Sequence, residues 1–367
     1  MSYKRLGDYI QQVNVRNKNL EDLPLLGVSN TKKLISSIAN TIGTDMSAYK
    51  IIERRQFAYG TVTSRNGDRL SVAISEEYDK ALVSQIYIVF QVVDTEQLLP
   101  EYLMMWFSRP EFDRYARFHS HGSTRETFDW EDMCDTRLPV PPIEKQRAIV
   151  AQYQAVADKI KVNEQICEKL ETTAQALYKY WFVGNRNEDW ERKRIDEVAE
   201  IKAGGDKPRV FSEIKTENCP IPIFANGTTD EGLYGYTDRA IYPEKSITIS
   251  ARGTIGYCVL RNEPFVGIVR LLVIIPFNKY EATYLIKCLN EIEFADSGSV
   301  QSQLTIPQIS NIEIVIPPKE LLVKYDNFVS KINSQMELKK QENQKLVEVQ
   351  SLLLSRLARE KKKKKIN

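Results

Sequence analysis

The chain has 367 residues, of which 42% are hydrophobic and 27% are charged, and its formal net charge is +2. This length and composition predict two or three globular domains and exclude a disordered or fibrous chain. No apolar run is long enough to cross a bilayer and the first ten residues do not form a signal peptide, so we expect no membrane contact and a cytoplasmic location. The five cysteines are widely spaced without a CxxC pair, which favours reduced thiols over a zinc site or a disulfide framework.

The charge is unevenly distributed along the chain. Lys361 to Lys365 contribute five positive charges, so the rest of the chain carries −3 (+2 − 5). A body of that charge argues against strong sequence-independent DNA binding by the whole surface. Any contact with nucleic acid would therefore use local patches or the help of partners, and residues 361–367 are predicted to be a solvated basic tail.

Residues 1–142 form the first predicted globular segment. Residues 55–63 and 83–93 alternate β-branched and aromatic side chains as strands do, and residues 135–140 predict a last strand before a proline pair. Residues 99–117 predict a short helix. The mixture indicates an α/β or α+β class, and the pattern does not give the strand order.

Residues 143–183 form a long predicted helix. Asn163 occupies the one polar position of its seam, and the stretch from 144 to 182 would be roughly 58 Å long at 1.5 Å per residue. With no glycine or proline inside, apolar or small residues recur in alternating steps of three and four, as in a heptad seam: Ile149, Tyr153, Val156, Ile160, Cys167, Leu170, Ala174, Leu177 and Trp181.

The same layout returns in the second half of the chain. Residues 184–318 form a second globular segment, and residues 319–360 form a second long helix whose seam includes Lys339, Asn343 and Gln350. Such polar seam residues fix the register of paired helices at some expense of stability. The segment before this helix contains one predicted helix at 280–293 and predicted strands at 246–250, 256–261, 265–276 and 311–316.

Several stretches of the two halves match at fixed spacings. Pro141-Pro142 matches Pro317-Pro318 at an offset of 176, as Leu177 matches Leu353. At an offset of 193, Tyr49 matches Tyr242 and the segment AYGTV at 58–62 matches ARGTI at 251–255. The chain is therefore interpreted as globule, helix, globule and helix, with the two amphipathic helices packed on each other. The alternative, two unrelated surface helices, does not explain the shared offset.

Motifs for enzyme chemistry are missing from the sequence. There is no glycine-rich FxGxG loop, no GxxxxGK[ST] phosphate loop and no Ser-His-Asp or Cys-His arrangement. The two Pro-Pro sites lack the acidic or amide residue before them, and the aromatic residue after them, that an adenine methyltransferase needs to hold a flipped base. His119 and His121 could hold a metal on a strand, but no acidic or cysteine partner recurs nearby, so a polar loop is favoured.

The loops do contain residues suited to contacting DNA. Arginine can bind guanine bidentately, asparagine and glutamine can bind adenine, and hydroxyl groups can contact phosphates. Each residue alone is also compatible with an ordinary surface, and what favours recognition is that the residues fall at matching places in both halves. The candidates are Arg54, Arg55, Tyr59, Thr61, Ser64, Arg65, Asn66, Arg69, His119, His121, Ser123, Thr124, Arg125, Lys207, Arg209, Asn226, Thr228, Tyr234, Tyr236, Arg252, Thr254, Ser299, Gln301, Ser302 and Gln303.

Five features occur together in this chain. They are the KRLGD and KRIDE starts of the globules, ISARGTIG at 249–256, GSVQSQLT at 298–305, PPIEKQRAIV at 141–150, and the two long helices. This combination resembles the DNA sequence-specificity subunits of type I restriction-modification systems, over nearly the whole chain. Residues 125–127 (RET) stand where residues 301–303 (QSQ) stand in the second half, so the two globules differ in a loop that would face DNA.

The resemblance implies a mixed α/β fold with two tandem target-recognition domains, 1–142 and 184–318, separated by helices 143–183 and 319–360. The helices would pair as an antiparallel coiled coil that spaces the domains on a bipartite double-stranded DNA site. The resemblance also implies a non-catalytic chain that binds no cofactor or metal itself. Two methyltransferase subunits would bring S-adenosylmethionine and methylate adenine, and two motor-nuclease subunits would use ATP and Mg²⁺ for cleavage.

Two other classes of function compete with this interpretation. The chain could be a scaffold in which the coiled coil is the function and the globules bind proteins; such a scaffold has no reason to gather Arg, Asn and Gln on one face. It could also be a DNA methyltransferase or nuclease in its own right, which the missing motifs argue against.

Overall fold

The computed structural model describes residues 3–37, 43–64, 67, 69–122, 125–185, 187–294 and 303–359, so the predicted basic tail at 361–367 lies outside it. The chain divides into two compact units. The first unit contains Met1–Asn163 and Gln341–Asn367, and the second contains Glu164–Lys340. Across the described ranges, no helix combines the length and the apolar character needed to span a membrane.

The first unit is a mixed α/β structure, as predicted. Its three short helices are α1 (Pro100–Phe107), α2 (Pro110–Phe118) and α3 (Trp130–Asp135). Its strands are β1 (Tyr3–Arg5), β2 (Ile10–Val13), β3 (Leu25–Val28), β4 (Leu34–Ser36), β5 (Lys50–Glu53), β6 (Phe57–Tyr59), β7 (Val72–Ile74), β8 (Lys80–Val83), β9 (Ile88–Val92) and β10 (Arg137–Pro139). They form sheets of order β2-β9-β6-β7 and β4-β3-β8-β5, and β1 pairs with β10.

The single helix predicted over 99–117 is two helices in the structure. Pro100 and Pro110 occupy first-turn positions of α1 and α2, where a missing backbone N–H costs nothing. Since the residue before a proline disfavours helical angles, Arg109 is extended and the chain breaks there. Both helices then bury aromatic side chains against β6 and β9, where Phe57 and Phe90 stack with ring centroids 4.8 Å apart.

The second unit repeats this architecture. It contains the short helices α5 (Ile195–Val198), α6 (Ala282–Asn290) and α7 (Ile306–Ser310). Its strands are β11 (Glu191–Arg194), β12 (Ala199–Ala203), β13 (Ile221–Phe224), β14 (Leu233–Thr237), β15 (Ser246–Ile249), β16 (Cys258–Arg261), β17 (Val266–Gly267), β18 (Leu272–Pro276) and β19 (Glu313–Ile316). They form sheets of order β12-β18-β15-β16 and β14-β13-β17, and β11 pairs with β19.

The strand registers confirm the internal repeat and correct one of its offsets. Phe57 lies opposite Phe90 in the first unit, and Ile247 lies opposite Ile274 in the second. The sheet β2-β9-β6-β7 has the same order as β12-β18-β15-β16. The Gly60 N–H donates to the Ser71 carbonyl just after β6, as the Ser250 N–H donates to the Tyr257 carbonyl just after β15, so Phe57 is equivalent to Ile247 at an offset of 190. The offset of 193 expected from AYGTV and ARGTI is therefore wrong by three residues. That offset came from similar residues alone and did not take account of the strand pairing.

Backbone hydrogen bonds outside the sheets give the same offset of 190 between the two units. The Phe128 N–H donates to the Thr61 carbonyl at 2.8 Å, and the Leu304 N–H donates to the Ala251 carbonyl at 3.0 Å. Thr61 is thus equivalent to Ala251 at an offset of 190, while Phe128 and Leu304 keep the predicted offset of 176.

Two long helices occupy the positions expected from the heptad pattern. They are α4 (Ile143–Tyr178), which continues as a π-helical turn over Lys179–Gly184, and α8 (Lys319–Arg359). In the first unit, Asn163 bonds to Asn343 and the Lys159 Nζ lies 3.5 Å from a Glu342 carboxylate oxygen.

In the second unit, the Cys167 Sγ donates to the Met336 carbonyl at 3.8 Å, and the Trp181 and Phe328 rings lie 5.7 Å apart. As positions rise in α4 from Cys167 to Trp181, their partners in α8 fall from Met336 to Phe328, so the contacts within the second unit run antiparallel. Supercoiling of the pair stays a prediction.

Within the stretch PPIEKQRAIV, the buried side chain of Gln146 has a structural role at the start of α4. Gln146 is 0% exposed, and its Nε2 donates to the carbonyls of Gln97 and Pro141 at 2.8 Å each. Its Oε1 accepts from the Leu99 N–H at 2.9 Å. These bonds fix the start of α4 to the body of the first unit, because a buried amide that lost a partner would destabilise the fold.

Candidate nucleic-acid interface

In the second unit, one asparagine ties together the loops that carry the candidate residues. The Asn226 Nδ2 donates to the Val269 carbonyl at 2.8 Å, and its Oδ1 accepts from the Ala251 N–H at 2.7 Å. Leu304 reaches the same corner through its bond to Ala251. The loops after β13 and β15, the turn before β18 and the segment before α7 therefore meet at one edge. Asn226 was expected to contact bases, but both ends of its amide are used inside the unit, so its role is structural.

Arg252 lies on this edge with its side chain exposed. Its Nη2 donates to the Gln303 Oε1 at 2.8 Å, which joins two predicted candidates that are 51 residues apart. Within the described ranges, no carboxylate lies within 4.0 Å of its guanidinium. The arginine is thus held in one direction by a neutral partner and keeps its charge available.

Lys207 lies over aromatic rings beside the same edge. Its Nζ is 3.3 Å from the centroid of the Phe211 ring and 5.0 Å from that of Tyr234. An ammonium in this position is attracted by the ring faces. Just before Lys207, Gly204 lets the chain pass close to β17, because a Cβ at Gly204 would lie 2.7 Å from the backbone of Gly267.

A buried arginine missed in the sequence supports the loop before β14. Arg261 is 4% exposed, and it donates to the Glu231 carbonyl at 2.7 Å and to the Thr248 Oγ1 at 2.9 Å. Its guanidinium also lies 3.6 Å from the Phe224 ring centroid. Burial lowers the pKa of Arg261 to about 10, against the attraction of Glu231, so the group stays charged at neutral pH. Glu231 has a φ of +55°, a strained conformation that these bonds hold in place.

The other candidates of the second unit divide into three groups. Arg209, Thr228 and Thr254 are exposed, and among the described residues their side chains have no assigned partner. Tyr236 is half-buried and pairs through its backbone with Ser212, at 2.8 and 2.9 Å. Ser299, Gln301 and Ser302 lie outside the described residues, as do Arg65, Asn66, Ser123 and Thr124 of the first unit.

In the first unit, the loop after β6 lies against the loop after α2. The Phe128 N–H donates to Thr61, the Thr63 N–H donates to the Glu126 carbonyl at 2.9 Å, and His121 exchanges backbone bonds with Thr127. This pairing brings Thr61 and Ser64 beside His119, His121 and Arg125. Gly122 closes the tight turn at φ +130°, where a Cβ would lie 2.3 Å from the Arg125 carbonyl oxygen. A polar edge equivalent to that of the second unit results.

Three candidates of the first unit do not belong to this edge. Tyr59 is 0% exposed inside the core, so its assignment as a DNA-contacting residue is wrong. Arg54 and Arg55 lie beyond the other end of β6. Asp79 lies 2.8 Å from the Arg54 Nε, and Glu101 binds Arg55 through two contacts of 2.9 and 3.0 Å. These carboxylates offset the positive charges of the two arginines, which would otherwise attract a phosphate or the acceptor atoms of a base.

Arg69 is exposed at the end of the β6–β7 loop, and a buried ion pair missed in the sequence anchors that end. The Lys32 Nζ lies 2.6 Å from the Asp113 Oδ1, which also accepts from the Leu70 N–H at 3.0 Å. Both charged side chains are about one-tenth exposed. Burial lowers the pKa of Lys32 even with the attraction of Asp113. Lys32 lies at the tip of the β3–β4 hairpin with a φ of +63°. The sequence contains no signal that predicts this position.

The structure does not assemble a metal site from the two histidines. His119 packs on the Tyr115 ring at 4.3 Å between centroids, and the His121 Nε2 lies 3.9 Å from the Asp132 Oδ1. The described part of the chain contains no group of three His, Cys, Asp or Glu side chains arranged for a metal ion.

Comparison with known families gives a match over most of the chain. The profile described as "Type I restriction modification DNA specificity domain" matches residues 12–172 and 187–348. Each match covers one globule and most of the helix that follows it, which agrees with the repeat seen in the fold.

Individual relatives cover the chain to different extents. Two Mycoplasma pneumoniae proteins that carry the type I specificity subunit name are 33% and 28% identical over 39% and 54% of this chain. The chain spans about half the length of these relatives, 43% and 55%. The HindI specificity subunit of Haemophilus influenzae is 23% identical over 90% of this chain and 91% of its own.

A solved structure has a similar fold. The crystal structure of a type I restriction-modification system S subunit from M. genitalium aligns with a TM-score of 0.66 at 13% identity. The alignment covers 97% of this chain and 95% of that one. At this identity the likeness concerns the fold alone.

Proposed function

Because the chain belongs to the type I restriction-modification DNA specificity family, we propose that it is the sequence-specific DNA-binding subunit of such a complex and that it recognises a bipartite target. One observation carries this proposal beyond family membership. The two units present different side chains on the same framework: Val62 and Thr127 form a bridge in the first, where Arg252 and Gln303 are joined in the second. Two units that share a backbone framework but differ in the side chains at equivalent positions can recognise two different half-sites.

The polar edge of each unit supplies the contacts that recognition requires. Exposed arginine, threonine and glutamine side chains can read base edges, while Lys207 and Arg209 suit phosphate oxygens. Phosphate contacts would position the unit, and base contacts would select the sequence. The net charge of −3 outside the lysine run leaves much of the phosphate neutralisation to partner subunits.

The chemistry is assigned to partners. The proposed complex adds two methyltransferase subunits that bind S-adenosylmethionine and methylate adenine, and two motor-nuclease subunits that use ATP and Mg²⁺ to cleave DNA. This chain would be non-catalytic and cytoplasmic. The support is the lack of cofactor and phosphate-binding motifs in the sequence.

The long helices are proposed as the spacer of the bipartite site. Each helix contributes residues to both compact units, since the division falls after Asn163 in α4 and after Lys340 in α8. A continuous helix has a fixed rise per residue, so its length would set the gap between the half-sites.

The test is to express the chain with the methyltransferase encoded beside it in a methylation-free host and to map modified adenines by single-molecule sequencing. We expect a bipartite motif, modified on both strands, that is absent when this chain is omitted. An assembled complex without new modification would favour the alternative, a coiled-coil scaffold without sequence-specific DNA binding. Modification by this chain alone would reveal a catalytic site within it.

A further inference from the structure

The backbone that carries Arg252 is braced on several sides. Ala251, the preceding residue, is 0% exposed; its N–H is bonded by Asn226 and its carbonyl by Leu304. Ser250 accepts from the Gly256 N–H at 3.0 Å, which closes the turn on the other side of Arg252. An exposed arginine on such a corner loses little backbone entropy when it binds a ligand.

The side chain of Arg252 is oriented by a neutral hydrogen-bond partner, so its positive charge is not offset by that partner. Gln303 accepts one of the five N–H donors of the guanidinium, which leaves four for a ligand. Arg54 and Arg55 differ in this respect, because each is paired with a carboxylate. A neutral partner that orients an arginine is what a bidentate contact needs, since the fork must be fixed while its charge stays available.

The equivalent place in the first unit has no such pair. The offsets of 190 and 176 put Val62 where Arg252 stands and Thr127 where Gln303 stands, and these two residues also face each other. The framework is therefore the same, and the capacity to donate two parallel hydrogen bonds is present in the second unit alone at this place.

Resting on the proposed function, we propose that Arg252 reads a guanine in the second half-site and that Gln303 is its positioning residue. Guanine presents two acceptors, O6 and N7, on its major-groove edge, and these match the guanidinium fork. Adenine, cytosine and thymine each place at most one acceptor there. The half-site read by the first unit lacks this contact, because Val62 cannot supply it.

The experiment maps the methylated motif of the assembled complex with single variants of this chain. Arg252→Ala is expected to relax the motif at one guanine of the second half-site, with a ten- to hundredfold loss of discrimination there. Arg252→Lys keeps the charge but not the fork, so it should relax the same base pair while preserving overall methylation. Arg239→Ala removes the same charge from another exposed position and should leave that base pair specified.

Gln303→Ala tests the positioning role. It should relax the same base pair as Arg252→Ala and no other, and the double variant should be no more relaxed than Arg252→Ala, since both act through one contact. A general loss of methylation without relaxation at that base pair would mean that Gln303 is merely structural.

Each failure is distinguishable from the others. A second half-site without a G·C pair, or a guanine preference kept by both Arg252→Ala and Arg252→Lys, would overturn the inference and leave the proposed function standing. A wild-type complex that assembles but yields no motif would overturn the proposed function, and the guanine contact with it.

Discussion

The side chains of Asn163 and Asn343 form a hydrogen bond of 2.8 Å between the two long helices, inside the first unit. Asn163 is 0% exposed, and the Asn343 Nδ2 also donates to the Ile160 carbonyl at 3.4 Å. A buried polar pair in an otherwise apolar seam disfavours slipped pairings, because any shift would leave both amides unpaired in an apolar layer.

The first prediction concerns this pair. Asn163→Leu alone should lower the free energy of unfolding by about 1–3 kcal/mol, because Asn343 loses its partner. Replacing both asparagines with leucine should recover most of that loss, and the helices should then lose their unique register. A double-mutant cycle in urea unfolding measures the coupling. Additive single effects would contradict the pairing.

A second prediction tests the burial of Tyr59. Its hydroxyl has no hydrogen-bond partner among the described residues, and burial raises its pKa. Tyr59→Phe should therefore raise the free energy of unfolding by about 1 kcal/mol and leave the methylated motif unchanged. Tyr102→Phe is the matched control, since its buried hydroxyl donates to the Pro139 carbonyl at 3.1 Å, and its loss should destabilise the unit. A changed motif in Tyr59→Phe would restore Tyr59 as a DNA-contacting residue.

Arg261 gives a third prediction, which contrasts with Arg252. Arg261→Met removes the bonds to Glu231 and Thr248 and should cost about 1–3 kcal/mol of stability. Because the loop before β14 would then move as a whole, recognition should weaken across the second half-site. Methylome mapping distinguishes this from the single-position effect expected of Arg252. An unchanged second half-site would show that this loop does not face DNA.

The fourth prediction concerns alkaline pH. Burial raises the pKa of Cys258 to about 12 and that of Cys288 to about 11, from an ordinary value of 9.0. Above pH 9 the unfolded chain releases these protons while the folded chain keeps them, so stability is full below pH 9 and falls as pH rises toward 11 or 12. The slope is at most about 1.4 kcal/mol per pH unit for each thiol. Cys258→Ala should flatten it in urea unfolding at pH 8 to 10.5, and an unchanged slope would contradict the assignment.

The fifth prediction addresses the spacer. Seven residues inserted after Asn163 and seven inserted before Asn343 should preserve helix pairing and lengthen each helix by about 10 Å. The gap in the methylated motif should grow by about three base pairs, since B-DNA rises 3.4 Å per pair, with both half-sites unchanged. An insertion in one helix alone breaks the register and should reduce methylation. Altered half-sites would contradict the spacer role.

The helices and the repeat were predictable because their signals are local and periodic. The heptad seam gives the bounds of α4 and α8 within a few residues, and the proline pairs mark their starts. Asn163 and Asn343 could be named as seam residues from their spacing alone. The strand order could not, because pairing depends on contacts between residues that are distant along the chain.

The candidate site shows the same division between local and distant signals. Arg252 and Gln303 were identifiable as polar residues in loops, but the bond between them spans 51 positions. The matching of AYGTV with ARGTI failed because the offset of 193 follows similar letters, whereas the strand pairing places β6 and β15 at an offset of 190. Tyr59 was misassigned for this reason, since its structural equivalent is the buried Ile249.

The first unit is built from two separate segments of the chain, and this determines when it can fold during synthesis. The Tyr3 hydroxyl donates to the Ala358 carbonyl, and Leu357 is buried in the same core as Leu6. The second unit, Glu164–Lys340, is continuous in the chain and can close as soon as it leaves the ribosome. At about 5–20 residues per second, the 177 residues between the two parts of the first unit take roughly 10–35 s to translate. During that interval the nascent first unit exposes the apolar surface that Leu354, Leu357 and Ala358 later cover, so a segment translated after the second unit completes the first one.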